Sequence, residues 1–283
     1  MLTVLESVKL SADYLEKKGI ESPRLNAELL LSEILKCKRL DLYLKFDQPL
    51  KEHEIVKYRD WISRRGKFEP LQYITGKVEF FGLTFNVTPD VLIPRPETEL
   101  LVEEIIKLSG GVGGLKIIDI GTGSGNIPVA LAKNLSDAEI TAVDVSEKAI
   151  TVAVENSRLN GVEEKIEFIH SDFNQLDFGT DRFDILVSNP PYISADEYPT
   201  LQTEITKYEP SIALTDAADG LNFYRTITAK SNAILKTGGK IFLELGQGQH
   251  DKVEVMLRQN NFSDIKIIKD YQQIERVITG ELK

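Results

Sequence analysis

The sequence predicts an α/β protein: a doubly wound, mostly parallel sheet of seven strands, preceded by a small helical bundle and a β-hairpin linker. Three observations carry this prediction. From Leu115 onward, strand-like apolar runs alternate with helical ones to the end of the chain, the order that builds a parallel sheet covered by helices on both faces. Residues before about position 65 show only helical spacing. The stretch between, "LQYITGKVEFFGLTFNVTPDVLIPRPETE", is rich in β-branched and aromatic residues with Gly76, Gly82 and Pro89 as punctuation, which reads as short strands and a hairpin. The boundaries fall at 1–70 for the bundle, 71–95 for the hairpin linker and 96–283 for the sheet domain.

The elements follow in order. Val4, Val8, Ala12 and Leu15 recur near helical spacing with Lys and Glu between them, so they form one helix stripe. In "ESPRLNAELLLSEILK", Ser22 is the expected N-cap and Pro23 suits the first helical position. Leu25, Leu29, Leu30 and Ile34 form its apolar stripe. "KEHEIVKYRDWISRRGK" places Ile55, Tyr58 and Ile62 on one face, with Trp61 as an anchor. These stripes read as bundle core, and the bundle contains no catalytic constellation; it either docks a partner or stabilises the chain. After the linker, a helix begins near Glu97. Strands are then expected in "LKIIDIG", "EITAVDV", "KIEFIHSD", "FDILVSN", "GKIFLELG", "DIKIIKD" and "ERVITGEL", with helices between. "FDILVSN" is continuously apolar, as a strand covered on both faces must be.

Composition excludes several function classes. With 42% apolar and 28% charged residues, the chain can bury a core and is not disordered. No apolar run approaches a membrane span, and charges interrupt the N-terminal stretch too often for a signal peptide. The single cysteine, Cys37, permits no internal disulfide, and the three histidines lack metal-ligand spacing. A cytoplasmic protein is expected, with no metal. The net charge of −10 argues against a broad basic footprint for nucleic acid. Residues 1–75 carry 14 Lys and Arg against 12 Asp and Glu, and the rest of the chain 20 against 32. That asymmetry marks two units with different surfaces.

Candidate ligand-binding residues sit at successive strand ends, where open α/β sheets bind ligands. "DIGTGSGN" ends the first strand, and Gly121, Gly123 and Gly125 allow a tight turn and close ligand approach. Asn126 stands where the dinucleotide fingerprint needs its third glycine, which disfavours NAD. Asp144 ends the second strand, 23 residues after Gly121. Its carboxylate can accept from both ribose hydroxyls; as an alternative it caps the next helix, a task Ser146 can also perform. Asp172 and Phe173 end the third strand and suit an adenine edge and face. Adenosine with free ribose hydroxyls and no dedicated phosphate-binding lysine points to S-adenosylmethionine.

The fourth strand ends in Asn189-Pro190-Pro191-Tyr192. Prolines cannot continue a central strand, so a terminator turn is the plain reading. The chemical reading is a grip on a planar NH2 group. Asn189 offers a side-chain carbonyl and Pro190 a backbone carbonyl, together enough for both hydrogens. Tyr192 can pack over a flat substrate. Two acceptors push electron density onto a delocalised nitrogen and favour the positive charge that develops during transfer.

"DIGTGSG", "VDVS" and "VSNPPYI" together resemble a class I S-adenosylmethionine-dependent amino-methyltransferase. With "LQYITGKVEFFGLTFNV", "LIPRPETE", "YEPSIAL" and "DGLNFYR", nearly the whole chain resembles the PrmC/HemK family, the glutamine-N5 methyltransferases of peptide chain release factors. That resemblance implies the seven-stranded methyltransferase sheet and a release factor as protein partner. It implies methyl transfer to the glutamine of a Gly-Gly-Gln motif. By the same resemblance, Asp119, Gly121, Thr122, Gly123, Ser124, Gly125, Asp144, Asp172, Phe173 and Asn189 bind cofactor. Asn189, Pro190, Pro191 and Tyr192 hold the glutamine, with Asn189, Pro190 and Tyr192 catalytic and Leu92 an apolar pocket wall. Phe173 stands where some relatives have tryptophan; it keeps the wall and loses the indole N–H. Arg95, between two prolines, is expected in an ion pair with an acidic neighbour. The competing readings are an adenine-N6 methyltransferase acting on a flipped base, a non-enzymatic binder with a vestigial site and, furthest, a nicotinamide oxidoreductase.

Overall fold

The computed structural model describes residues 2–110, 113–179 and 182–283, and they form two units. The first comprises the chain up to Gly76 together with Gln202–Tyr208. Its helices are α1 (Val4–Lys17), α2 (Pro23–Leu35), α3 (Asp41–Leu44), α4 (Glu52–Arg65), α5 (Leu71–Thr75) and, from later in the chain, α9 (Thr203–Tyr208). α1 opens on a capping box: Glu6 N–H donates to Thr3 Oγ1 at 3.3 Å and Thr3 N–H donates to Glu6 Oε2 at 2.9 Å. Val8, Leu15, Leu30, Tyr58, Trp61 and Ile62 are buried together.

Two sequence expectations need correction here. Ser22 sits at the N-cap position of α2, but its φ is 48° and its side chain makes no capping bond. A capping serine needs extended backbone to reach the second or third amide, and a left-handed residue does not present its oxygen there. Leu25 is 41% exposed. The buried face of α2 runs through Ala27, Leu30 and Leu31, and helical geometry carries Leu25 away from it. A further difference concerns residues 71–75. They form a helix whose Ile74 joins the bundle core, ahead of the hairpin. The return of residues 202–208 to this unit is held by the Arg65–Glu204 ion pair at 2.6 Å and by Tyr208 Oη donating to the Lys67 carbonyl at 2.9 Å.

The second unit holds Lys77–Leu201 and Glu209–Lys283. It begins with the hairpin β1 (Lys77–Phe80) and β2 (Leu83–Asn86). The two loop residues, Phe81 and Gly82, have φ of 52° and 70°, the doubly left-handed conformation that matches strand twist in tight hairpins. Next come α6 (Thr98–Ser109), β3 (Lys116–Ile120), α7 (Asn126–Asn134), β4 (Glu139–Asp144), α8 (Glu147–Leu159), β5 (Ile166–His170) and β6 (Phe183–Ser188). α10 (Asn222–Ile234), β7 (Leu235–Glu244), α11 (His250–Gln259), β8 (Phe262–Lys269) and β9 (Glu275–Leu282) complete it.

The seven strands lie in the order β5-β4-β3-β6-β7-β9-β8, parallel except that β9 runs antiparallel to both neighbours. Side chains alternate between two cores, one on each sheet face. Ile117, Val187 and Phe242 point to one, while Ile118, Leu186 and Ile241 point to the other. That is why these strands read as continuous apolar runs. The chain winds outward from β3 in one direction and from β6 in the other, so the switch point lies between them. Asn156 of α8, fully buried, accepts from Asn86 N–H at 2.7 Å and donates to the Asn86 carbonyl at 3.0 Å and the Ser124 carbonyl at 2.9 Å. One carboxamide thus ties the hairpin to the turn after β3. No helix among the described residues is long and apolar enough to cross a membrane.

Candidate active site

A cavity of about 380 Å³ opens at the carboxyl ends of β3, β4, β5 and β6, at the switch point where such sheets bind ligands. The turn after β3 shapes its floor. Gly121, Gly123 and Gly125 have φ of 77°, 55° and 78°. At Gly125 a Cβ would also stand 3.0 Å from Ala153 Cβ, so the absent side chain lets the turn pack on α8. Asp144 braces the turn from β4. Its Oδ2 accepts from Gly123 N–H at 2.8 Å and its Oδ1 from Ser146 N–H at 2.9 Å. Ser146 itself caps α8, accepting from Ala149 N–H at 3.2 Å. Burial raises the Asp144 carboxyl above its ordinary value, against the pull of these amides.

Asp119 lies directly behind the turn, on β3. It is fully buried, and neither of its carboxyl oxygens nor the nearby Thr122 hydroxyl has a hydrogen-bond partner among the described residues. Burial pushes the Asp119 carboxyl up to about 7; Thr122 opposes the shift and the Asp144 charge adds to it. At the end of β5, Asp172 accepts from Asn174 N–H at 2.8 Å and Phe173 forms an apolar wall of the cavity. The Lys230 ammonium stands 5.3 Å from the Phe173 ring centroid and donates to the Phe173 carbonyl at 3.1 Å. This cation fixes the ring from α10.

The β6 end supplies the opposite wall. Ser188 Oγ donates to the Ile120 carbonyl at 2.6 Å, locking the β3 and β6 ends together. Asn189 Nδ2 donates to Thr98 Oγ1 at 3.1 Å, which commits the donor end of the carboxamide and leaves its carbonyl as the free end. Pro190 and Pro191 line the cavity beside it. The following backbone is clamped: Gln249 Nε2 donates to the Tyr192 carbonyl at 2.9 Å. A Cβ at Gly220 would sit 2.3 Å from that same oxygen. Behind the turn, Glu244 ends β7. It is 2% exposed, its Oε2 has no hydrogen-bond partner among the described residues, and burial pushes its carboxyl up to about 7.

Eleven of the binding and catalytic residues expected from the family resemblance line this one cavity: Leu92, Gly121, Thr122, Gly123, Ser124, Asp144, Asp172, Phe173, Asn189, Pro190 and Pro191. Asp119, Gly125 and Tyr192 do not line it. Asp119 and Gly125 support the turn from behind. The half-buried Tyr192 ring packs against the core beside β7, close to Gly246, and not on the cavity wall where the sequence reading put it. Burial raises the Tyr192 hydroxyl, and the Glu244 charge raises it further. Arg95 pairs with Glu209 at 2.6 Å, and the Glu209 side chain is 2% exposed. Glu209 also accepts from Ile93 N–H at 3.4 Å, so this one carboxylate holds the segment whose Pro94 and Arg95 line the cavity. Sequence reasoning missed Thr98, Glu244, Lys230 and the apolar mouth residues Ile212 and Phe223. Of these, Thr98 carried a signal by opening the helix that follows "LIPRPE", and Ile212 and Phe223 by lying within "YEPSIAL" and "DGLNFYR"; Glu244 and Lys230 carried none.

Comparisons with known proteins agree across both units. Residues 6–76 match the model of the PrmC N-terminal domain, and residues 112–273 that of a methyltransferase domain. A release factor glutamine methyltransferase from Fusobacterium nucleatum is 43% identical over 279 residues, spanning 98% of this chain and 78% of the relative. One from Geobacter sulfurreducens is 42% identical over 280 residues, spanning 99% and 97%. Among solved structures, a T. thermophilus 16S rRNA N2 methyltransferase in complex with AdoMet and guanosine shares the fold at 22% identity and a TM-score of 0.54. It covers 73% of this chain and 50% of its own. Matched in both units and aligned with such relatives over nearly its whole length, the chain belongs to the release factor glutamine methyltransferases.

Proposed function

We propose that the β3–β6 cavity holds S-adenosylmethionine and that the Asn189-Pro190 turn presents to it the side-chain amide of the glutamine in a release factor's Gly-Gly-Gln motif, which is methylated at N5. The observation that carries this reading is the Asn189 carboxamide. Its donor end is committed to Thr98 at 3.1 Å, which leaves Asn189 Oδ1 as the acceptor, and Pro190, on the same cavity wall, carries the backbone carbonyl read as the second. A primary amide has two N–H groups and a delocalised lone pair, and this pair of acceptors matches it.

The residues present fit the cofactor. Asp119 is a fully buried carboxyl beneath the glycine turn, outside the cavity lining, and bears on the methionine end of the cofactor only through the turn that it supports. Asp144 uses one lone pair on each oxygen for backbone amides and keeps acceptor capacity for ribose hydroxyls. Phe173, backed by Lys230, offers a flat apolar face to a purine. When bound, S-adenosylmethionine supplies an electrophilic methyl group on a sulfonium. The chain supplies the rest. Asn189 and Pro190 hold both amide hydrogens, orient the nitrogen and stabilise its developing positive charge. Leu92, Pro190 and Pro191 keep the surroundings dry and strengthen those interactions.

The helical unit is read as the surface that docks the release factor, and the protein as cytoplasmic, working beside translation. The test is incubation of the full chain with methyl-labelled S-adenosylmethionine and unmodified release factor, followed by peptide mass mapping. Label on the Gly-Gly-Gln glutamine supports the assignment, and label elsewhere or none refutes it.

A further inference from the structure

The Asn189 carboxamide is not held by Thr98 alone. Ser188 pairs with Leu243 in the β6–β7 register, so the next residues, Asn189 and Glu244, end adjacent strands side by side. Glu244 is 2% exposed, Thr98 is 1% exposed, and Thr98 and Asn189 both lie against the Glu244 carboxyl and favour its charged form. A hydroxyl that accepts from Asn189 still has its own proton to donate, and Glu244 is the carboxyl within its reach. Tyr224 Oη donates to the Glu244 backbone carbonyl at 2.8 Å, which fixes the strand end from α10.

We propose that Glu244 is a positioning residue for methyl transfer: acting through Thr98, it keeps the Asn189 N–H groups turned inward and the carbonyl turned to the amide being methylated. This rests on the reading of Asn189 as the acceptor of that amide. As a carboxylate, Glu244 accepts from Thr98, and Thr98 then has only lone pairs to offer Asn189. The Asn189 donor end is drawn inward, and its carbonyl gains negative character as its N–H groups are polarised. As a carboxylic acid, Glu244 has a proton to give to Thr98 and competes with Asn189 for the same oxygen.

A purely structural role is a poor account of this carboxyl. An apolar side chain of the same size would fill the space without the cost of burying an unpaired oxygen. The charged and titratable groups that face it do not neutralise it. Glu97 raises its affinity for a proton. Arg276 lowers it but is committed to Asp270 at 2.9 Å. The Tyr192 and Tyr224 hydroxyls are themselves raised by the Glu244 charge. Burial, the largest influence, pushes the carboxyl up to about 7.

The experiment compares Glu244→Gln, Thr98→Val and Thr98→Ser in the full chain, with Asn189→Ala beside them. It measures kcat and KM for release factor, S-adenosylmethionine affinity, and kcat from about pH 6 to about pH 8. Glu244→Gln carries a permanent donor and mimics the protonated acid. We expect kcat to fall about 10²-fold in Glu244→Gln and Thr98→Val, with KM and cofactor affinity unchanged and the fall in kcat below neutral pH abolished in Glu244→Gln. Thr98→Ser keeps the hydroxyl and should stay near the parent. A folded Glu244→Gln with parental kcat, or with the parental acid limb, overturns the proposal; if Asn189→Ala is then still inactive, the reading of Asn189 survives it. Parental kcat in Asn189→Ala overturns both.

Discussion

Asn189→Ala is the sharpest test of the acceptor pair. The substitution removes Oδ1, one of the two acceptors, and Nδ2, which bonds Thr98 at 3.1 Å. The loss of Oδ1 leaves one substrate N–H unpaired in a site walled by Leu92, Pro190 and Pro191, at a cost of about 1–3 kcal/mol. Because 1.4 kcal/mol is a factor of ten, binding of the reacting group alone weakens about 5- to 150-fold. Loss of one preorganised group of this kind costs about 10²–10³ in rate at other active sites, so kcat/KM should fall by about that range. Loss of the Thr98 bond should cost about 1 kcal/mol of stability, or about 2 °C in Tm for a chain this long. The glycine turn, Asp144 and Phe173 are untouched, so cofactor affinity should hardly change. The assay is single-turnover methylation of release factor with labelled methyl, paired with calorimetric titration of S-adenosylmethionine. Transfer at the parental rate by a folded Asn189→Ala would mean that the turn only terminates β6.

Two further outcomes follow from the cofactor end of the cavity. Asp144→Ala should weaken S-adenosylmethionine through the loss of up to two charge-assisted hydrogen bonds, each worth about 1.5–3 kcal/mol. It should also loosen the turn that Gly123 N–H anchors at 2.8 Å; unchanged affinity by calorimetry refutes the ribose assignment. Asp119, raised by burial to about 7, favours its proton in the folded state, so stability from this group is present below the ordinary carboxyl range and is lost as pH rises towards about 7. Asp119→Asn should therefore raise the Tm of the ligand-free chain above neutral pH, by up to roughly 4 kcal/mol in free energy, with no gain at acid pH. A Tm difference that does not vary with pH rules this out.

Much was legible in the sequence because its signals are local. Apolar runs of strand length alternating with helical stripes required a doubly wound sheet, and the described strands follow that reading from Lys116 to Leu282. The family, its methyltransferase chemistry and its cofactor were legible in the same way, in short motifs at consecutive strand ends. Tertiary structure decided what depends on residues far apart in the chain. The sheet order places β6 beside β3, and only that adjacency brings Asn189 to the glycine turn 64 to 68 residues before it. The bond from Asn189 to Thr98 spans 91 residues, and the Arg95–Glu209 pair spans 114. Periodicity carries no information about such partners. Leu25 and Ser22 mark the same limit at short range. An apolar residue becomes core, and a serine becomes a cap, only when the packed backbone turns it the right way. Tyr192 reads as an aromatic ring for a substrate, yet it is outside the cavity lining and packs, half-buried, against the core beside β7. Glu244 itself reads as an ordinary acid at a strand end. Its raised affinity for a proton exists only because folding surrounds it with the end of β6, α6 and Tyr224, and removes the water that would otherwise solvate its charge.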